Sequence, residues 1–323
     1  MTTVEGPYFD ELERGQVFES APYELTEGRA ALHQAIVGDR LRLHLSDRLA
    51  RQVTGRASAH PAFVVNVAIG QSTAATQHVK ANLFYRHLAL HRLPALGDTI
   101  ETTTEVVGLR ENARREGRSP TGLAALRIRT VEHGGREVLD FYRCAMLPLR
   151  GDAPTGHADD LDQVGADRRP LDPLTAVRSW DLRHWPTRAP RLVPGETFEL
   201  VGGDVVTSAP ELARLTLNVA RVHHEAEVAG GRRLVYGGHT IGLAAAHLAR
   251  AVPDAVTILA WEGCDHVGPV HEDDVLTSTV EVVAVEQAGP YADVARLRVV
   301  SSVGAAVVLD WRVVVLVGRS GLA

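Results

Sequence analysis

The chain contains one internal repeat, and this repeat constrains its architecture more than any other feature. Residues 98–107, DTIETTTEVV, reappear as DVLTSTVEVV at 274–283, an offset of 176 residues. Upstream, GDRLRLH at 38–44 parallels LNVARVH at 217–223, and His60 parallels His239, both at an offset of 179. One short insertion or deletion reconciles the two offsets. The 323 residues are therefore predicted to fold as two copies of one structural unit.

The two halves present the same order of predicted elements. The first half has a helical pattern at 25–38, with Thr26 as N-cap, and a long apolar segment at 61–77 that suits a buried helix. The second half has the corresponding helix at 239–252. Strand patterns follow at 79–85, 99–109, 123–132 and 138–149, and at 256–262, 275–285, 292–300 and 305–317. A long helix followed by an antiparallel meander predicts the α+β class, with each sheet wrapped on a buried helix.

The region between the halves reads as a long connection. Residues 151–194 are rich in proline, aspartate, arginine and glycine and show no sustained periodicity. We therefore predict an N-terminal unit at 1–150, a linker at 151–194 and a C-terminal unit at 195–323. The chain carries no glycine-rich nucleotide fingerprint, P-loop, nucleophile elbow or His-Glu-x-x-His zinc pattern. A nucleotide-binding βαβ fold is not predicted.

Charge and cysteine usage narrow the possible partners. The 34 basic and 40 acidic residues give a net charge of −6, so nucleic acid is not an expected partner. The sequence shows neither a signal-peptide pattern nor a long apolar run, so we expect a cytoplasmic protein that does not enter a membrane. Cys144 and Cys264 lie in strand-like apolar segments and are expected to be unreactive core thiols. Lys80 is the single lysine, which disfavours lysine-centred covalent catalysis.

The most specific candidate site in the first half is the Gly38–His44 segment. On a regular helix Asp39 and His44 would lie about 140° apart, so they meet at one ligand only if the backbone leaves helical geometry. Gly38 permits that departure. Together the two side chains would form an acid/base pair that adds or removes water. The alternative is a helix C-terminus capped by Gly38 with a surface histidine.

The second copy keeps the spacing but replaces aspartate with asparagine. Asn218 can position a water molecule or a substrate oxygen but accepts no proton at neutral pH, so His223 would be the general base in this copy. His224 and Glu225 are adjacent and have no third ligand spaced with them. We therefore expect solvated charge there and no metal site.

A candidate oxyanion site lies downstream in the second half. Gly237 and Gly238 precede a buried helix, where the free backbone amides of a helix N-terminus can polarise a thioester carbonyl. A simple turn before the helix is the alternative. The corresponding positions of the first half lack the glycines, and Pro61 offers no amide hydrogen.

These residues resemble the MaoC-like double-hotdog hydratases and dehydratases. The resemblance covers almost the whole chain and is strongest in five stretches in family order: LTEGRAALHQAIVGDR, KANLFYR, LGDTIETTTEVVGLREN, NVARVH and RRLVYGGHTIGLA. The family signature Gly-Asp-x-Asn-Pro-x-His is matched at Asp39 and His44, with Leu41 and Arg42 in place of Asn-Pro. The resemblance implies a tandem hotdog fold and reversible hydration of a 2-enoyl thioester, carried by CoA or acyl carrier protein, with no cofactor and no metal.

The resemblance also implies roles for single residues. The acid/base pair corresponds to Asp39 and His44 in the first half and to Asn218 and His223 in the second, with the second half favoured as the working copy. The oxyanion donor falls at Gly238 or His239.

A substrate with a second carboxylate, such as a mesaconyl thioester, would need a cation. Arg221 and Arg86 are the candidates, although either is equally suited to a surface position or a CoA phosphate. A hotdog-type acyl-thioester hydrolase and a non-catalytic acyl-thioester binding protein remain alternatives. A monomer and a homodimer of double hotdogs are both compatible with the repeat.

Overall fold

A computed structural model describes residues 4–166 and 172–320 and contains one antiparallel sheet of twelve strands. The strands are β1 Val17–Glu19, β2 Tyr23–Glu24, β3 Ala81–Leu90, β4 Thr99–Glu111, β5 Thr121–Glu132, β6 Arg136–Pro148, β7 Thr197–Glu199, β8 Asp204–Val205, β9 Ala255–His266, β10 Val275–Gln287, β11 Ala292–Val303 and β12 Ala306–Gly318. Their order is β1-β4-β5-β6-β3-β9-β12-β11-β10-β7, with β2 on β4 and β8 on β10. The α+β prediction is confirmed.

The two halves join where β3 pairs with β9. In this antiparallel pair Tyr85 lies opposite Cys264, and the numbers of these residues differ by 179, the offset of the repeat. Two equivalent residues can face each other only on a local twofold axis, so the axis relating the halves passes between these strands. The sheet is therefore continuous across the two copies.

Six α-helices accompany the sheet, and two of them are buried along most of their length. The helices are α1 Glu27–Val37, α2 Arg42–Leu45, α3 Asp47–Thr54, α4 Pro61–Gln71, α5 Ala209–Leu215 and α6 Gly237–Ala251 within the described residues. The Thr26 side chain caps α1 by accepting the Arg29 amide, and Gly38 ends it in the left-handed conformation. The apolar helices α4 and α6 are the predicted central helices of the two halves, and they pack against each other.

The connection between the halves packs on the sheet instead of lying free. Leu161 is buried with Leu123 of β5, and the short 3₁₀ turn Pro173–Val177 lies against β3 and β9. Trp185 is also buried. The boundaries 1–150, 151–194 and 195–323 remain a prediction, and residues 1–3, 167–171 and 321–323 lie outside the described part of the chain.

Both cysteines are buried and unpaired. Burial raises the pKa of the Cys144 thiol to about 11, which keeps it protonated at neutral pH. No helix in the described stretches 4–166 and 172–320 combines the length and apolarity needed to cross a membrane.

Candidate active site

A cavity of about 290 Å³ lies between the two halves, near the start of α6. Its walls come from Asn218, 222–223, 234–237 and 266–270 of the second half and from 79–83 of the first, with further single residues from both. The cavity therefore contains the acid/base candidates of the second half but is walled in part by the first.

His223 ends a short 3₁₀ turn, Arg221–His223, and is 8% exposed. Its Nδ1 lies 2.8 Å from the carbonyl oxygen of Leu234. Because a carbonyl only accepts, Nδ1 carries the proton and Nε2 carries the lone pair. Burial, reinforced by the positive charge of Arg143, lowers the pKa of His223 to about 4 against the opposing effect of the Leu234 carbonyl. The imidazole is therefore neutral at pH 7 and able to act as a base.

Asn218 is 3% exposed and lines the same cavity. Its Oδ1 accepts the backbone amide of Ala220 at 2.9 Å, which fixes the orientation of the carboxamide. Its Nδ2 is buried and has no hydrogen-bond partner among the described residues. A buried donor without a partner is costly, so this group is suited to hold a water molecule or a substrate oxygen.

The N-terminus of α6 forms a further part of the wall. The helix begins at Gly237, which lines the cavity, and the first amides of a helix have no intrahelical acceptor. The amide of His239 donates to the Tyr236 carbonyl, whereas the amides of Gly237 and Gly238 have no partner among the described residues. Of these two glycines, only Gly237 lines the cavity. Gly238 also allows close packing, because a Cβ there would lie 2.2 Å from Oδ1 of Asn66. The His239 side chain is buried away from the cavity lining.

The two arginines singled out in the sequence lie outside the cavity wall. Arg221 forms an exposed ion pair with Glu225 at 2.7 Å, and Arg86 pairs with Asp265 at 2.5 Å. Their expected contact with a substrate carboxylate therefore has no support from their positions.

Arg143 and His266 line the cavity instead, and the sequence reasoning missed both. Arg143 interrupts the apolar run of β6, and a charge at a buried strand position was the available signal. His266 ends β9, and burial lowers its pKa to about 4. No comparable signal marked His266 in the sequence.

Comparisons with known proteins agree with this architecture. The chain matches no protein-family model. It is 47% identical to a conserved hypothetical protein from Mycobacterium tuberculosis described as having a double hotdog fold, with 97% of this chain and 99% of that chain covered and a TM-score of 0.88. The chain belongs to the double-hotdog proteins.

Two further relatives span nearly the whole chain. A MaoC domain protein from Chloroflexus aurantiacus is 26% identical, covers 99% of this chain and 100% of its own, and gives a TM-score of 0.85. A curated protein of the same organism, named beta-methylmalyl-CoA dehydratase, is 28% identical over 313 residues, which are 91% of this chain and 87% of the relative.

The MaoC-like signature of the first half occupies a different environment from that of the second. Asp39 Oδ1 lies 2.7 Å from His60 Nε2 and accepts the Leu41 amide. The nitrogens of His44 lie 3.3 Å from the Ser58 carbonyl and 3.3 Å from Thr257 Oγ1. Both polar groups of this pair are thus engaged within the protein.

The space next to this pair is filled by apolar side chains. Leu43 and Leu259, the repeat equivalents of Val222 and Lys80, belong to a cluster that includes Leu182 and Trp185 of the connection. Arg42 contacts the connection, because its guanidinium donates to the Pro186 carbonyl oxygen at 2.7 Å and lies 4.8 Å from the centre of the Trp185 ring. The structure thus brings His223 and Asn218 to a cavity and places Asp39 and His44 in a packed region.

Proposed function

We propose that the protein catalyses the reversible addition of water to the C2–C3 double bond of a 2-enoyl-CoA thioester. The observation that carries this proposal is the shared cavity of His223 and Asn218, which supplies a neutral imidazole and an unpartnered amide donor. The relative named beta-methylmalyl-CoA dehydratase supports the same reaction class.

The proposed mechanism uses three groups of the second half. Asn218 Nδ2 holds the water, and His223 Nε2 removes one proton as the water oxygen bonds to the β-carbon. The double-bond electrons move towards the thioester carbonyl, and the amide of Gly237 at the N-terminus of α6 stabilises the resulting enolate oxygen. Protonated His223 returns the proton to the α-carbon. The reverse sequence eliminates water from the 3-hydroxyacyl thioester.

A cationic groove outside the cavity supports CoA as the carrier. Lys80 lines both the cavity and this groove of about 670 Å³, which also contains Arg114, Arg115 and Arg118. Arg114 is paired with Glu111, whereas Arg115 and Arg118 are exposed. Phosphate groups at the distal end of CoA are suited to such a surface, because each bears negative charge that a guanidinium binds.

The carrier, location and assembly state are also proposals. We place the protein in the cytoplasm, since both cysteines are free thiols, as expected in a reducing compartment. We propose a monomer, because β3 and β9 supply the contact between hotdog units within one chain. Light scattering on the purified protein tests the assembly state, and cell fractionation tests the location.

The decisive experiment measures enoyl absorbance after addition of crotonyl-CoA or mesaconyl-CoA to the wild-type protein. Loss of absorbance without release of free thiol supports hydration. Release of free thiol from a saturated acyl-CoA would instead identify a thioesterase. Binding of acyl-CoA without turnover of any enoyl ester in the series would leave only a binding protein.

A further inference from the structure

Arg143 is a buried cation for which the described residues provide no anion. Its side chain is 2% exposed and lies in the middle of β6. The guanidinium donates to Ser72 Oγ at 3.0 Å, the Ser72 carbonyl at 3.1 Å, Thr76 Oγ1 at 2.8 Å and Asn82 Oδ1 at 3.3 Å. All four acceptors are neutral, and no acidic side chain within residues 4–166 and 172–320 forms an ion pair with it.

Other arginines of this protein are neutralised by an acidic side chain where they are partly buried. Arg42 and Arg127 are both partly buried, and they pair with Asp254 and Asp140. Burial of a charge without a counter-charge is among the most costly arrangements in a folded protein. Arg143 is more deeply buried than either of these arginines and therefore needs a counter-charge at least as much. An anion that binds from solvent can supply it.

The cavity provides the route for this anion. Arg143 and Asn82 both line it, together with His223. The four hydrogen bonds use four of the five guanidinium N–H groups, which leaves one N–H of Nη1. The cation also lies near enough to His223 for its charge to act on the imidazole.

We propose that Arg143 binds a carboxylate on the β-carbon of the enoyl thioester and makes the protein selective for dicarboxylic acyl-CoA substrates. This inference rests on the proposed hydration reaction. In that reaction water adds to the β-carbon beside His223, so a carboxylate attached to the same carbon lies on the His223 side of the substrate. Arg143 lines the same cavity as His223, whereas Arg86 and Arg221 lie outside its wall and are held by Asp265 and Glu225.

The substrate carboxylate has a second effect on the same site. It neutralises the positive charge of Arg143, which contributes to the lowered pKa of His223. The imidazole then becomes a stronger base when a dicarboxylic substrate is bound. A monocarboxylic substrate leaves the field of Arg143 unchanged.

Binding of saturated acyl-CoA esters tests the inference without requiring turnover. Succinyl-CoA and butyryl-CoA differ by a carboxylate in place of a methyl group, and neither is hydrated. Calorimetry should show that the wild-type protein binds succinyl-CoA at least about tenfold more tightly, as expected where one buried cation has to be satisfied. Arg143→Met should remove this preference, whereas Arg86→Met should retain it. Equal wild-type affinities for the two esters, or loss of the preference in Arg86→Met alone, would overturn the assignment.

Turnover provides a second measurement with a matched pair. Tigloyl-CoA carries a methyl group where mesaconyl-CoA carries its carboxylate. Arg143→Met should lower kcat/KM for mesaconyl-CoA by about 100-fold or more and change that for tigloyl-CoA by less than about threefold. With tigloyl-CoA, the acid limb of the kcat/KM profile should move to higher pH in Arg143→Met. Equal losses with both substrates and an unchanged profile would identify a structural residue and refute the inference.

The outcomes separate this inference from the proposed function. A wild-type protein that prefers succinyl-CoA but hydrates no enoyl ester would contradict the hydratase proposal and leave the carboxylate site standing. A protein that hydrates tigloyl-CoA and mesaconyl-CoA equally would retain the hydratase proposal and refute the carboxylate site. If Arg143→Met does not fold, the wild-type preference for succinyl-CoA and the Arg143→Lys variant provide the test. Arg143→Lys keeps the charge and should therefore retain this preference.

Discussion

His223 Nδ1 lies 2.8 Å from the carbonyl oxygen of Leu234, and this contact determines which nitrogen of the imidazole carries the proton. Because the carbonyl holds the Nδ1 proton, the lone pair is on Nε2. His44, at the equivalent position of the first half, has contacts at both nitrogens. The two histidines share a sequence context but differ in the access that their rings have to a ligand.

Removal of these two histidines should therefore have unequal effects. We expect His223→Ala to lower kcat for enoyl-CoA hydration by about 10²- to 10⁴-fold, the range for loss of a general acid/base. His44→Ala should lower thermal stability, because a partly buried polar contact to Thr257 is lost, but keep kcat within about threefold of the wild type. Initial rates and melting curves of both variants provide the test. A hydratase that survives His223→Ala and is inactivated by His44→Ala would locate the reaction in the first half.

The pH dependence of the reaction should report the depressed pKa of His223. Since that pKa is about 4, the free imidazole is already the base at pH 5. We expect kcat/KM to be flat between about pH 5 and 8 and to fall below that range with a midpoint near 4. Rates measured across this interval check the expectation. A midpoint near the ordinary histidine value of about 6.5 would contradict it.

Asn218→Asp should change the pKa of His223 without removing the hydrogen bond from the Ala220 amide. The carboxylate can still accept the Ala220 amide, but it loses the Nδ2 donor and adds a negative charge to the cavity. The pKa of His223 should rise, so the acid limb of kcat/KM should move up by about one unit or more. Asn218→Ala, which adds no charge, is the control and should lower kcat without moving this limb.

Gly238→Ala should disturb the start of α6, whereas Gly28→Ala in α1 should be tolerated. A Cβ on Gly238 would lie 2.2 Å from Asn66 Oδ1, but nothing lies within 4 Å of a Cβ on Gly28. We expect the first change to lower the free energy of unfolding by about 1–3 kcal/mol and to reduce kcat. The second should raise that free energy by up to about 1 kcal/mol. Urea unfolding of the two variants measures the difference, and equal stabilities would contradict the packing argument.

Mild acid should destabilise the folded chain. Burial lowers the pKa of His33 and His44 to about 3 and that of His239 and His266 to about 4. The unfolded chain binds these protons near pH 6.5, so the stabilisation is complete above that pH and declines as pH falls towards the folded values. Each histidine should contribute a loss of about 1.4 kcal/mol per pH unit in this window. Urea unfolding at pH 7.5 and 5 tests this, and equal free energies of unfolding would refute it.

The repeat predicted the arrangement of the fold because it specifies both the units and the axis between them. The offset of 179 equals the separation of Tyr85 and Cys264, which face each other where the halves join. Period-2 patterns predicted strands such as β4 and β10, in which buried and exposed positions alternate. Other long strands, such as β6, are buried along most of their length. The structure adds their order and the continuous pairing through β3 and β9.

The candidate site was only partly predictable. Spacing identified His223 and Asn218, but the same spacing identified Asp39 and His44, and it cannot show whether a ring nitrogen faces a cavity or Thr257. Arg143 reaches the cavity through tertiary packing of β6, far from either motif in sequence. Local patterns identify chemical groups, whereas access to a ligand depends on what fills the surrounding space.

The shared wall of the cavity has a consequence for how a duplicated gene can diverge. Residues 79–83 of the first copy line the same cavity as His223 of the second copy. Selection can therefore relax on the reaction chemistry of the first copy, at Asp39 and His44, while it still acts on the wall that this copy builds. The two halves, separated by a cut in the connection, should regain activity only when mixed.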